Sequence, residues 1–416
     1  MFGDGTESNP FSLINGYDNM NGLLSSIIKK KSVAAFYTSL VLLISFFCTD
    51  LNAQTKVLID DLQFREDAQA AIDSLYNRNL EGTHTVLGPW KEKYPDHPIW
   101  ALWDGMELWW TVLEDLSDVS SDEKFFESMQ KADHLAGQLL RKESDHPDAL
   151  IIRTVANGYV ARHHANRGEW LTSVNIGRRA YQAHQRLLDV YPNLPDNDFA
   201  EGLKLYYSAY MQDNFRFVRT MSWFLPDGDR PEGLNNLRMA SINGVFARPE
   251  ASYFLAYILL NYENRPGDAQ IYFWNLVNAY PDNGYFRRLQ VRALFDMQRF
   301  REVIHATASA VEHWEEHDLP NGALMKEELY YWEGRARYHN GQYALALDLF
   351  KQSFDIGDEL PIREQRQFRA LSAFYAGRTS ERLNQNEEAR HYYGLAANQS
   401  AHEEAKSRAE ERLRRL

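Results

Sequence analysis

From Tyr330 to Phe350 the chain runs YYWEGRARYHNGQYALALDLF, and its aromatic and small residues fall three and four apart. Tyr331, Gly334 and Tyr338 lie before the Asn340-Gly341 break, and Ala346 and Phe350 lie after it. That spacing puts each set on one face of an α-helix, so two helices joined by a turn at Gly341 are predicted. The same order returns at Ala269, Phe273 and Leu276, at Val303, Thr307 and Ala310, and at Ala389, Tyr393 and Ala396. Ala269 to Val303 is 34 residues, and the next two steps, to Ala346 and to Ala389, are 43 each. The nine added residues fall in His317–Gly322 and Gly357–Pro361, where Pro320 and Pro361 end a helix and open a loop.

Toward the N-terminus the pattern loosens but persists. Leu80, Thr83, Leu87 and Trp90 make the second half of a unit, and its closing Tyr94-Pro95 returns as Tyr191-Pro192 and Tyr280-Pro281. Gly105 with Trp109, Gly158 with Trp170 and Ala180, and Gly202 with Tyr206 predict three more units. Asp229, followed three residues later by Glu232, predicts a helix start, with its end at Gly244. About seven helical hairpins are expected from residue 55 to residue 400, with a bend near 213–230 and no strand-like alternation.

The 330–350 unit resembles a tetratricopeptide repeat (TPR). Gly334 stands where two helices press together, Gly341 at the turn, Tyr343 at the opening of the second helix, and Ala346 and Phe350 where repeats interlock. The resemblance implies an all-α fold, a TPR-type right-handed α-solenoid of helical hairpins. The chain divides into an N-terminal extension with a signal peptide or anchor (1–53), divergent TPR-like hairpins (54–248), TPR repeats (249–401) and a C-terminal capping helix (402–416). The last is charged and covers the final apolar face.

Lys29, Lys30 and Lys31 precede an uncharged apolar run from Ser32 to Cys48, and polar residues follow to Leu51-Asn52-Ala53. That order is expected of a secretory signal cut after Ala53, which places the protein in the bacterial periplasm. An uncleaved membrane anchor is the alternative, because the run is about as long as a short span. Cys48 is the single cysteine and lies inside this segment, so a chain cut after Ala53 holds no thiol for a disulfide, a nucleophile or a zinc site.

The 416 residues are 44% hydrophobic and 25% charged, enough for a folded core. A formal net charge of −13 argues against a general nucleic-acid surface, whose affinity comes from clustered cations. His313-Trp314-Glu315-Glu316-His317 fits the H-x-x-E-H form of one zinc-peptidase class. It falls at the end of a second helix, where a histidine suits the helix dipole, and no third ligand is evident nearby. Adjacent His163 and His164 point to different sides of a helix. Asp196, Asp198, Asp227 and Asp229 read as turn or capping residues. No catalysis and no cofactor are therefore expected.

In TPR proteins the first helix of each hairpin lines the groove, and the resemblance places Arg292, Arg335 and Arg378 there at a spacing of 43. Arg288 and Arg382 lie one turn away, beside Tyr331, Tyr338 and Tyr375. Arginines beside aromatics suit an extended acidic or carboxylate-bearing peptide: guanidinium forks on apolar shelves. The competing reading pairs them with neighbouring carboxylates such as Glu328 or Glu381. The expected function is a non-catalytic scaffold or adaptor in the cell envelope. A structural subunit of an envelope assembly, or a zinc hydrolase using His313, Glu316 and His317, are the alternatives. The sequence does not set an oligomeric state.

Overall fold

The computed structural model describes residues 55–214 and 227–416; the expected signal, Cys48 and most of the expected bend lie outside them. Among the described residues seventeen α-helices and no strand occur. They are α1 (Leu62–Tyr76), α2 (Leu80–Lys93), α3 (Ile99–Glu114), α4 (Asp122–Lys142), α5 (Pro147–Asn166), α6 (Trp170–Val190), α7 (Asn197–Asn214), α8 (Arg230–Asn243) and α9 (Arg248–Asn261). After them come α10 (Pro266–Ala279), α11 (Gly284–Asp296), α12 (Phe300–Glu316), α13 (Gly322–His339), α14 (Tyr343–Glu359), α15 (Gln367–Arg382), α16 (Asn386–Ala397) and α17 (Glu403–Leu413). They pair as eight hairpins, α1 with α2 through α15 with α16, and α17 packs last on α16 and α15. The fold is an all-helical solenoid, with one hairpin more than the sequence suggested. No helix among the described residues is long and apolar enough to cross a membrane.

Turn chemistry fixes the hairpins. Among the described residues, six of the hairpins carry one residue of positive φ between their helices: Arg78, Gly168, Asn264, Gln298, Gly341 and Asn384. A left-handed residue closes a helix and reverses the chain, and only two of the six are glycine, so a search for turn glycines sees a minority of them. Asn264, Gln298, Gly341 and Asn384 repeat at 34, 43 and 43 residues, the period read from the core positions. Second helices α2, α6 and α10 all stop at a tyrosine with φ near −130°, and the proline behind it disfavours further helix. Side-chain caps open others: Asp61 accepts from Gln63 N at 3.1 Å, and Asp229 from Glu232 N at 2.9 Å. Asp196 reaches across to the segment that leads into α9, accepting from Phe246 N at 2.7 Å and Ala247 N at 2.6 Å.

Packing follows the small positions. A Cβ on Gly334 would come within 2.7 Å of the Phe350 ring, and one on Gly377 within 2.7 Å of Tyr393, so both glycines are sites of close approach. Gly202 and Gly233 bring α7 and α8 backbone to backbone in the same way. Gly158 differs from expectation, because nothing lies within 4 Å of its added Cβ; α5 and α6 meet instead at Ala161 and Gly177.

The solenoid does not run straight. Residues 57–416 form one compact unit, and one hydrophobic core extends from Leu58 to Ala293. The first hairpin docks on helices two hundred residues later. Asn283 donates to the Tyr76 carbonyl at 2.7 Å, Tyr280 to Asp73 at 2.7 Å, and Asn77 and Asp282 bond twice. Trp110 meets Phe286 edge-on at 5.5 Å. At this junction Glu250 accepts from Arg162 at 3.1 Å and from the Tyr76 hydroxyl, a buried pair whose charge is matched on the spot.

Candidate functional site

First helices α11, α13 and α15 touch one another as well as their partners, so they form the inner layer of the C-terminal repeats. Its two ends differ. At the N-terminal end the layer is occupied by the protein's own chain, where α3 runs out at Glu114-Asp115. The Glu114 carboxylate accepts from Arg78 at 2.7 Å and from Asn321 at 2.6 Å, and its carbonyl accepts from Arg288 at 2.8 Å. Asp115 bonds Arg366 at 2.7 Å, and Arg366 also holds the buried Glu327 at 2.8 Å. An acidic corner at the starts of three helices suits their partial positive charge. A cavity of about 260 Å³ remains beside it, lined by Arg78, Glu114, Arg288, Trp314 and Asn321 among others.

This corner decides the fate of Arg288, which bonds Glu114 and lies 3.4 Å from Glu328, so it is engaged internally as the competing reading has it. The other arginines lie further along the layer. Arg292 is 4.0 Å from Asp296, a loose and half-exposed pair. The Arg335 guanidinium stands 4.3 Å from the centre of the Tyr375 ring and 4.8 Å from that of Phe295, and it donates to the Tyr331 hydroxyl at 2.7 Å. Arg378 stands 5.5 Å from Tyr375 and 5.6 Å from Tyr338, and Arg382 donates to the Tyr338 hydroxyl at 3.3 Å. Among the described residues no carboxylate lies within 4 Å of Arg335 or Arg378. Glu381, the other suggested partner, serves Arg412 and Tyr393 instead.

Tyr331 is 2% exposed, and burial pushes its phenol up to about 12, so it acts as a buried prop for Arg335. Tyr338 and Tyr375 stay half-buried beneath the arginines, as shelves. Two members of the cluster escaped the sequence reading. His339 is exposed, stacks on Phe300 at 5.0 Å and 9°, and is held below the ordinary histidine range by burial, Arg335 and Arg378. Phe295 supplies a further face for Arg335. The signal for His339 is its register, one turn after Arg335; for Phe295 no sequence signal separates it from core.

The histidine string lies where the repeat puts it. His313 lies in the last turn of α12 and bonds Asp282 at 2.8 Å, while His317 is the C-cap and turns to the His313 carbonyl at 2.9 Å. Among the described residues no group of three His, Cys, Asp or Glu converges as a metal set would. His163 is buried 2.8 Å from Asp122, and His164 lies 2.8 Å from Glu169, so the two point apart.

No protein-family model matches the sequence, and comparison with curated proteins gives no match. Among solved structures the chain is similar to yeast Tom70, with a TM-score of 0.43 and 11% identity over 94% of this chain and 87% of that one. Similarity at that level is too low to carry a function, and the helical-hairpin fold rests on the geometry above.

Proposed function

We propose that this protein is a non-catalytic, protein-binding scaffold or adaptor, exported to the cell envelope, that seats an acidic or carboxylate-bearing segment on the inner layer of its C-terminal repeats. One observation carries the reading: Arg335 and Arg378 rest on a shared aromatic shelf, with no carboxylate among the described residues within 4 Å of them. In a chain of net charge −13 an unmatched pair of guanidinium groups on the inner face is suited to a ligand's carboxylates, which can bond both forks while apolar atoms lie on Tyr338 and Tyr375. Arg292 and Arg382 extend the face on either side. The Glu114-Asp115 corner supports the reading by analogy, since it is an acidic segment already lodged on that layer.

The second reading, a structural subunit of an envelope assembly, is favoured by α10. It shows Ile271 at 59% and Trp274 at 57% exposure, with Ile242 of α8 at 63%. Envelope placement follows from the N-terminal segment, which as a signal gives the periplasm and as an uncleaved anchor holds the repeats at the membrane.

The test is affinity purification of residues 54–416 from the protein's own envelope, beside a variant carrying Arg292→Ala, Arg335→Ala and Arg378→Ala. A partner held by the wild type, released by an acidic peptide and lost by the folded variant supports the inner-layer site. Identical partners from both proteins shift the function to the outer surface.

A further inference from the structure

We propose that His339 couples ligand binding at this face to proton uptake: an acidic segment seated on Arg335 and Arg378 brings carboxylates beside its imidazole, which takes a proton from solvent and becomes a third cation of the site. The inference rests on the acidic-ligand reading above and adds its regulation. His339 is the last residue of α13, exposed at the edge of the arginine pair, and its ring is fixed by stacking on Phe300 of α12 and by edge contacts with Phe295 of α11 and Tyr338. A clamped imidazole at that edge stays beside the ligand.

The charges acting on it come from two helices. Arg335 lies one turn earlier on α13 and Arg378 faces it from α15, and both disfavour the imidazolium, as burial does. Of the remaining charges, Arg382 is turned to the Tyr338 hydroxyl, and Asp296 of α11 lies in the field of Arg292 and Arg335. No carboxylate offsets the two arginines at His339. Ligand carboxylates reverse that balance, since a nearby opposite charge favours the ionised form. Reciprocity then makes the proton tighten the ligand: whatever binding does for protonation, protonation does for binding.

The spacing suggests the probe. Neighbouring packed helices stand about 8–10 Å apart and an extended chain rises about 3.3 Å per residue, so carboxylates three residues apart match successive rungs. A blocked twelve-residue peptide of Gly-Ser-Asp repeats is titrated calorimetrically into residues 54–416 at pH 7.5 and 5.5, in buffers of different ionisation heat. Its aspartates remain ionised across that range. The expected result is binding about threefold or more tighter at pH 5.5, with net proton uptake. His339→Phe, which keeps a ring on Phe300, should lose both the pH dependence of binding and the proton uptake. Equal affinity at the two pH values, or an effect that survives His339→Phe, overturns the coupling and leaves the acidic-ligand reading standing. Absence of binding at either pH overturns both. A ligand-free check is the NMR titration of the His339 ring, which should move to higher pH in Arg335→Gln/Arg378→Gln; an unmoved titration refutes the coupling.

Discussion

At the scale of single residues, glycine separates close packing from mere presence in a helix. Gly334→Leu would drive a side chain into the Phe350 ring, already 2.7 Å from an ideal Cβ, and should cost about 1–3 kcal/mol or more. Gly158→Ala should do the reverse and stabilise by about 0.5–1 kcal/mol, because the space beside it is empty and alanine is the better helix former. Thermal midpoints of the two variants moving in the same direction would contradict this packing. The sequence revealed Gly334 because a small residue recurs there with an aromatic sixteen positions on. It misplaced Gly158, because a glycine without a facing ring looks the same on paper.

A buried histidine gives the pH prediction. His163 is fully buried, and burial holds it below the ordinary histidine range although Asp122 favours its charged form. An unfolded histidine takes up its proton near pH 6.5. Between that pH and its lower folded value the unfolded chain binds a proton that the folded chain refuses, so stability falls as pH falls. The wild type should therefore lose more stability than His163→Gln between pH 7.5 and 5.5 in denaturant titrations. Matching losses would set His163 aside; Glu250 and Glu327, whose carboxyls are raised by burial, titrate alike in both proteins.

At the scale of elements, the start of α15 shows how a local signal and a distant contact combine. Arg366 stands at the N-cap of α15, 4% exposed, and bridges Glu327 of α13 and Asp115 at the end of α3. Arg366→Met would leave Glu327 buried without its cation, a loss of about 3–5 kcal/mol at neutral pH. Burial already raises the Glu327 carboxyl against the pull of Arg366. Without that pull it accepts a proton more readily, so the deficit should shrink as pH falls toward 5. A deficit at pH 7.5 under about 1 kcal/mol would mean that this junction contributes little. Helix bounds were largely readable, since Asp229, Gly244, Gly341 and the Tyr-Pro pairs carry their own backbone reasons. The turns at Arg78 and Gln298 were not, because such side chains disfavour a left-handed φ outside the finished hairpin, whereas Asn264 and Asn384 adopt it more readily.

For the whole molecule, closure changes what unfolds together. Repeat arrays ordinarily gain stability from nearest neighbours alone, so their ends fray independently. Here Asn283, 1% exposed, ties α11 to the Tyr76 carbonyl across 207 positions while its Oδ1 caps α11 at Phe286 N. Hydrogen exchange should therefore show α1 and α9–α11 opening as one unit, whereas α16 and α17, joined only to neighbouring helices, open at lower free energy. Asn283→Ala should speed exchange in α1 as well as α11. If only α11 responds, the first hairpin is held by other contacts.

The sequence by itself determined the helices, the 34- and 43-residue phase, and the helix on which each candidate arginine sits, because period and turn chemistry act within a few residues. Tertiary structure decided which arginines are taken up by carboxylates and carbonyls of the chain itself and which are not. Arg288 is occupied by a carbonyl 174 positions away and Arg366 by a carboxylate 251 away, while Arg335 and Arg378 meet only rings and a hydroxyl. Such pairings depend on how the superhelix closes, and the position of Glu114-Asp115 on that closed surface is written in no local pattern.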